Sequence, residues 1–173
     1  MKVRSMQKAL FVFLVGSAAT FFSSAILARS ADQSFVVEAA SEEMVEVKLG
    51  QLAQQNGVSE AVRRFGKWME TDYSVAGDKL RAAASRYNIS LPSTMSESDQ
   101  ATYARLSELS GPEFDEAYAK DMVKDLQKNL AAFRKEATKG RHSDIKQYAS
   151  DTLLVLQDHL KTAKEIAKTT SVD

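Results

Sequence analysis

The C-terminal segment of the chain carries a seven-residue pattern that fits one face of an α-helix. Its members recur at alternating steps of four and three residues: Ile145, Ala149, Thr152, Leu156, His159, Ala163 and Ile166. Steps of three and four bracket the 3.6-residue helical turn, so all seven residues fall on the same side. The pattern predicts a helix from Ser143 to about Lys168 whose inward face contains a histidine.

Three further long stretches have the same helical periodicity. They cover residues 33–55, 60–87 and 112–138, and a shorter helix is predicted over residues 97–109. Ser59 and Ser96 stand where N-caps of two of these helices belong. No segment alternates with a period of two, and glycine and proline number only seven and two, which argues against turn-rich β folds.

Four long amphipathic helices predict an all-α fold and, within it, a four-helix bundle. The connection between the second and third long helices runs from Asn88 to Pro112 and carries the short extra helix. A crossover of roughly 25 residues suits a bundle with one long connection, as in ferritin-like folds, better than a simple up-down bundle. The sequence therefore predicts a ferritin-like four-helix bundle with one long crossover.

The first 28 residues have the order of a secretory signal peptide. Lys2, Arg4 and Lys8 precede an apolar run, and small residues then lead to a predicted cleavage site at Ala28. The alternative is an uncleaved anchor, because residues 9–28 contain no charge over a length that can span a bilayer. Both interpretations predict an exported domain, and cleavage would leave no integral membrane span.

The predicted organisation has four parts: a signal peptide (1–28), a short lead (29–34), the bundle (35–168) and a C-terminal tail (169–173). The chain has 23 Lys+Arg and 23 Asp+Glu. Because the first 28 residues hold three basic residues and no acidic one, the remainder holds 20 basic and 23 acidic residues, a net charge of −3. A mildly acidic chain without a basic stripe is not expected to bind nucleic acid. The absence of Cys excludes thiolate zinc sites, iron–sulfur clusters and a cysteine nucleophile.

Four short motifs follow one another along the predicted bundle. They are Glu46-Val47-x-Leu49-Gly50-x-Leu52-Ala53, Met69-x-x-Asp72, Gly111-x-x-Phe114-Asp115-x-x-Tyr118 and Leu153-Leu154-Val155-Leu156-x-x-His159-Leu160. In this order and spacing the chain resembles an exported bacterial ferritin-like family, domain of unknown function 4142, often labelled as outer-membrane proteins. The resemblance implies a ferritin-like bundle of unsettled biochemical role, located in the periplasm or associated with the outer membrane.

The sequence departs from that family at two positions. The family commonly places a His directly after each Met-x-x-Asp, whereas this chain has Tyr73 and Leu126 there; Glu46 and His159 match the family. A carboxylate-bridged di-iron bundle needs a Glu-x-x-His motif on two helices. This sequence contains no Glu-x-x-His, so a conventional di-iron oxidase is not expected.

Two carboxylates, Glu42 and Glu46, occupy the inward line of the first helix, where core residues belong. One hypothesis is that Glu46 and His159 meet in mid-bundle, with Tyr73 nearby, as a single-metal site for Fe, Mn or Zn. The other is a buried Glu46–His159 hydrogen bond closed by the Tyr73 hydroxyl, with Glu42 near the surface. The second is favoured because two protein ligands hold a metal weakly, so no cofactor is expected.

Four other side chains are predicted to have structural or solvent-exposed roles and no function in a site. His142 is predicted to be a solvated loop residue, and Asp72 and Asp125 are predicted to be solvated or salt-bridged. Trp68 is predicted to pack under the crossover. No residue set suggests nucleophilic or phosphate chemistry.

The sequence thus predicts an exported helical-bundle protein of unknown biochemical role. Its predicted role is either binding or a function in the cell envelope and its stress response, and enzymatic activity is not favoured. The alternative is a ferritin-like metal-binding or redox protein with a degenerate site inside the bundle. The sequence leaves two kinds of partner open: components of the cell envelope, or further copies of this chain bound through an exposed helix face.

Overall fold

A computed structural model describes the backbone of residues 20–171 and the side chains of residues 31–171. The described residues form five α-helices and no strand. The helices are α1 (Thr20–Asn56), α2 (Glu60–Ser85), α3 (Glu97–Ser107), α4 (Gly111–Lys139) and α5 (Ser143–Thr170). The predicted all-α class is confirmed. Residues 1–19 of the predicted signal peptide and the last two residues of the predicted tail lie outside the described residues.

The bounds of α2 to α5 agree with the sequence pattern to within a few residues. The predicted N-caps are confirmed, because the Ser59 hydroxyl accepts from the backbone N–H of Val62 at 3.1 Å and the Ser96 hydroxyl accepts from that of Asp99 at 3.2 Å. The start of the first helix was predicted wrongly, at Gln33. Within the described residues the helix extends back to Thr20 and includes the whole of the predicted lead, because an apolar segment without amphipathic spacing can still be helical.

Two helical hairpins make up most of the structure. The three-residue turn 57–59 joins α1 to α2, and residues 140–142 join α4 to α5. In each hairpin the two helices pack extensively on each other, and the hairpins meet chiefly where α2 packs on α5. The long connection between them carries α3, which packs on α1 and α4. The inward residues of α5 predicted from periodicity are buried, apart from the half-buried Thr152.

Two glycines bring α1 and α2 into backbone contact. A Cβ atom added at Gly50 would lie 2.5 Å from the carbonyl oxygen of Gly66, and one added at Gly66 would lie 2.6 Å from the carbonyl oxygen of Gly50. No side chain fits between backbones at that separation. The crossing point of the first hairpin is therefore fixed by this pair.

One end of the molecule is held by a carboxylate from α4. Asp115 accepts hydrogen bonds from the backbone N–H groups of Val58, at 3.1 Å, and Ser59, at 2.8 Å. The side-chain amide of Asn56 donates to the carbonyl of Leu109 at 2.8 Å. These bonds tie the turn between α1 and α2 to the turn before α4.

The opposite end is held by Asp32, which is buried. Its carboxylate accepts from the backbone N–H groups of Arg141 and His142, at 3.0 and 2.9 Å, and lies 2.6 Å from His142 Nδ1. The ring of His142 also packs on Tyr87, with centroids 4.0 Å apart. The prediction of a solvated loop residue at 142 was wrong, because Asp32 lies in the helix that had been assigned as a lead.

None of the helices in the described part of the chain has both the length and the apolar character needed to cross a membrane.

Candidate functional site

Four polar side chains, each from a different long helix, lie buried in the centre of the core. They are Glu46 from α1, Tyr73 from α2, Tyr118 from α4 and His159 from α5. The exposed fraction of Glu46 and of His159 is only 1%. Buried polar groups are normally hydrogen-bonded, so such a convergence is either a satisfied network or a site for a guest.

Glu46 has no hydrogen-bond partner at either carboxyl oxygen within the described part of the chain. Burial raises the pKa of this carboxyl well above its ordinary value, and the nearby carboxylates of Glu42 and Asp125 raise it further. Both effects favour the neutral acid. The predicted hydrogen bond between Glu46 and His159 is therefore wrong as stated.

His159 instead pairs with Asp72, whose carboxylate oxygen lies 2.9 Å from Nε2. Burial lowers the pKa of the imidazole, and Asp72 partly opposes that shift. A neutral ring that donates from Nε2 to Asp72 keeps its lone pair on Nδ1, and Nδ1 is buried without a partner. Asp72, predicted to belong to a solvated or salt-bridged face, thus orients the core histidine.

Aromatic rings enclose the imidazole of His159. The ring of Trp68 meets it edge-on at 4.8 Å between centroids, and the ring of Tyr73 stacks on it at 6.0 Å. Trp68 was predicted to pack under the crossover; it packs on His159 and is 40% exposed. One side of the imidazole is thereby shielded from water by a surface tryptophan.

The two tyrosine hydroxyls complete the central group. Within the described residues the Tyr118 hydroxyl has no hydrogen-bond partner, and the Asn129 side chain interacts with the Tyr73 hydroxyl and lowers its pKa without a hydrogen bond of normal geometry. Burial raises the pKa of both well above the ordinary value, and Glu46 in its ionised form would raise both further. The shared influence of Glu46 shows that it is an electrostatic neighbour of both rings.

A second polar feature lies between α1 and α2, in a cavity of about 900 Å³. The short apolar segment Ile89–Pro92 of the long connection forms one wall, and Met44 and Val47 of α1 form another. Glu43 and Gly77 both line this cavity and are direct neighbours, since a Cβ atom at Gly77 would lie 3.0 Å from Glu43 Oε2. Tyr73 lines the cavity as well, and so it lies between this space and the central group.

Glu43 is buried and held by α5. The Tyr148 hydroxyl donates to Glu43 Oε1 at 2.6 Å. Burial raises the pKa of Glu43 to about 7, whereas Tyr148 and Arg81 lower it. A carboxyl group in a cleft that titrates near neutral pH is a common mark of a functional site.

The chain matches the model of a known protein family. A family model described as a domain of unknown function, DUF4142, matches residues 18–166. The chain belongs to this family. No curated protein and no solved structure matched the chain. The DUF4142 match spans both the central group and the α1–α2 cavity. The family description names no activity, which agrees with the predicted unknown biochemical role.

The metal hypothesis for this DUF4142 chain rests on Glu46 and His159 alone. In the part of the chain that the structure describes, no three His, Asp or Glu side chains are placed to hold a metal ion together. Zinc sites in proteins use three or four protein ligands. Glu46 and His159 are both buried in the centre, as predicted, and their role as metal ligands stays a prediction.

Two carboxylates differ from their predicted surroundings. Glu42 was predicted near the surface, but its side chain is only 12% exposed and accepts from Lys128 Nζ at 2.8 Å. Asp125 is half-buried, and burial raises its pKa to about 6.

Glu43 was not among the site residues predicted from the sequence. The signal that could have identified it is a second apolar line on the same helix, formed by Val36, Ala40, Glu43 and Val47. That line lies beside the predicted inward line, so α1 is buried over a wider arc than one helical stripe.

Proposed function

We propose that this DUF4142 chain is an exported, non-enzymatic binding protein of the bacterial envelope, built as a ferritin-like four-helix bundle. The signal-like N-terminal segment and the family resemblance support export. The long crossover between the two hairpins supports the ferritin-like arrangement. The observation that carries the binding role is the cavity between α1 and α2.

The cavity has the composition of a small-molecule site. Such sites are mostly apolar, have volumes of roughly 300–1,000 Å³ and contain a few placed polar groups. Here apolar side chains of α1 and of the connection form the walls, and Glu43 supplies a buried carboxyl group. A protein that acts through this site would hold a ligand of moderate size against the first hairpin.

A fluorescent probe tests this role. The neutral dye N-phenyl-1-naphthylamine brightens in apolar sites, and the wild-type protein is expected to bind it. Gly77→Leu and Val47→Phe each place bulk inside the cavity and should abolish the signal. Val75→Leu adds bulk on the exposed side of α2 and serves as the control. Equal dye binding by all four proteins would contradict the proposal.

The second candidate is a degenerate metal site. It is favoured by one observation: Glu46 and His159 Nδ1 are buried together in the core without hydrogen-bond partners. Asp72 on the other ring nitrogen is the kind of partner that orients a metal-binding histidine. Glu46 and His159 would be the two donors for Fe, Mn or Zn, and they fall short of a full ligand set.

Elemental analysis of protein purified from the periplasm separates the two candidates. A stoichiometric metal that is lost in His159→Ala and kept in His142→Ala would establish the metal site. Metal content at background in the wild-type protein would exclude it and leave the cavity as the functional site.

A further inference from the structure

One of the two carboxyl oxygens of Glu43 has no hydrogen-bond partner among the described residues. Oε1 accepts from Tyr148, but Oε2 faces Gly77 and accepts no hydrogen bond from the described residues. Gly77 has no side chain to cover this oxygen. The carboxyl group is thus fixed on one side by α5 and accessible on the other side from the cavity.

Several other polar groups of the cavity wall already have partners. Gln51 donates to Glu70 at 3.0 Å, and the Ser74 hydroxyl donates to the Glu70 carbonyl at 2.6 Å. Arg81 pairs with Asp78 at 2.7 Å. Glu43 Oε2 is the buried carboxylate acceptor within this wall that a guest molecule can use, whereas the Asp78 carboxylate of the same wall is largely exposed.

The missing partner is a cation. Arg81 influences Glu43 at a distance, but its own side chain is largely exposed and bound to Asp78. A buried carboxylate gains far more from a cation in direct contact than from an exposed one. A ligand ammonium group at Oε2 would supply that contact, and the hydrocarbon attached to it would lie along Met44, Val47 and the Ile89–Pro92 wall.

We infer that the cavity between α1 and α2 binds alkylammonium compounds, whose ammonium group donates to Glu43 Oε2 while the alkyl chain packs against the apolar walls. This inference rests on the proposed function and specifies its ligand class. The cationic side chains at the rim, Arg81 and Lys48, offer the alternative of an aliphatic carboxylate, which is an outcome of the test. Because both rim cations are solvent-accessible, they bind an anion less strongly than buried Glu43 binds an ammonium group.

Three probes of equal chain length separate the alternatives: hexylammonium, 1-hexanol and hexanoate. Binding is measured by titration of ¹H–¹⁵N NMR spectra, with the backbone amide of Gly77 as the local reporter. A charge-assisted hydrogen bond predicts that hexylammonium binds at least about tenfold more tightly than hexanol. Preference for hexanoate, or equal affinity for hexanol and hexylammonium, would overturn the inference.

The decisive variant is Glu43→Gln, which keeps an acceptor for Tyr148 and removes the negative charge. It should lower hexylammonium affinity to the level of hexanol and leave hexanol binding unchanged. Gly77→Ala is the second variant, since it keeps Glu43 and places a methyl group 3.0 Å from Oε2. It should weaken hexylammonium binding more than hexanol binding. Circular dichroism verifies that both variants stay helical.

Binding of hexylammonium should also depend on pH. The groups that surround Glu43 are Asp78 and Arg81 on α2, Lys48 on α1 and Tyr148 on α5. Because the pKa of Glu43 is about 7, its ionised form grows between pH 6 and 8, and hexylammonium affinity should rise over that range in the wild-type protein and stay level in Glu43→Gln.

The two proposals fail in different ways. If hexanol and the neutral dye bind but hexylammonium has no advantage, the cavity is a binding site and the ammonium inference is wrong. If none of the three probes shifts the Gly77 amide and cavity-filling variants do not change dye binding, the proposed function is wrong as well.

Discussion

At the scale of single residues, Glu46 is the least expected feature of the core. A fully buried carboxyl group without a hydrogen-bond partner destabilises a folded chain. Tyr73 and Tyr118 lie close enough to Glu46 to feel its charge, and the Tyr118 hydroxyl and the Nδ1 atom of His159 are also buried without a partner in the described part of the chain.

Replacement of Glu46 by leucine tests whether the carboxyl group serves the fold. If it makes no hydrogen bond in the folded state, Glu46→Leu should raise the free energy of unfolding by about 1–3 kcal/mol, because a desolvated polar group is removed. Urea denaturation measures the change. Glu46→Gln, which keeps a polar amide in place, should not give this gain. A loss of stability in Glu46→Leu would contradict the statement that the carboxyl group lacks a stabilising contact.

The sequence located the core polar residues but not their pairing. Periodicity assigns Glu46 and His159 to inward faces, and both are buried. It carries no information on how far each helix is rotated and shifted against the next. That geometry brings Asp72, not Glu46, to within 2.9 Å of His159. The Met-x-x-Asp motif singled out Asp72, but nothing in the sequence linked it to the histidine.

At the scale of secondary-structure elements, the contact of α1 with α2 depends on Gly50 and Gly66. Gly66→Ala gains up to about 1 kcal/mol of helix propensity. Its methyl group would nevertheless meet the Gly50 carbonyl oxygen at 2.6 Å and Ala53 Cβ at 2.7 Å. We therefore expect a net loss of about 1–3 kcal/mol in the free energy of unfolding.

Gly77→Ala is the matched control for this substitution. It lies in the same helix, and its nearest contact is the side-chain end of Glu43 and not a backbone atom. The change in stability should stay within about 1 kcal/mol. Thermal and urea unfolding followed by circular dichroism measure both variants. Equal stability of Gly66→Ala and Gly77→Ala would mean that the crossing is looser than described.

The inward line of α5 makes a second prediction at this scale. Leu156 is 1% exposed, and Leu154, two residues earlier, is 70% exposed. Leu156→Ala should therefore lower the free energy of unfolding by about 2–5 kcal/mol, as truncations in a core do. Leu154→Ala should change it by less than about 0.5 kcal/mol. Chemical denaturation gives both values, and a loss below about 1 kcal/mol for Leu156→Ala would place this line outside the core.

Helix α1 is where prediction from sequence was weakest. The caps of α2 and α3 were identified because serine at an N-cap has a direct physical signature. The N-terminal end of α1 has no such signature, and its apolar composition favoured the signal-peptide interpretation over a continued helix. Asp32 connects this segment to the start of α5, a long-range contact that a local pattern cannot reveal.

At the scale of the whole molecule, buried carboxyl groups set the pH dependence of stability. Burial raises the pKa of Glu43 and Glu136 from 4.5 to about 7, and that of Asp125 from 3.8 to about 6. The folded chain therefore holds these protons more firmly than the unfolded chain. The contribution of these protonated groups to the free energy of unfolding is complete below about pH 4, and it is lost as the pH rises through 6 and 7. His159, whose pKa is lowered, contributes with the opposite sign.

A difference measurement isolates one of these groups. We compare the free energy of unfolding of the wild-type protein with that of Glu43→Gln. The difference, wild type minus variant, should fall as the pH rises from 4.5 to about 7, because in this range residue 43 of the wild type is ionised in the unfolded chain and still protonated in the folded chain. Urea denaturation at several pH values measures this difference. Leu154→Ala, which changes no titratable group, should give a constant difference. A flat curve for Glu43→Gln would contradict the raised pKa of Glu43.

The division into two hairpins has a consequence for association. The α1–α2 and α4–α5 pairs are joined by one long connection, so two molecules can exchange hairpins and rebuild the same core contacts between chains. Residues 89–92 of that connection are also a wall of the α1–α2 cavity. A ligand held in the cavity fastens the connection to the first hairpin, and so it opposes the exchanged dimer and favours the closed monomer.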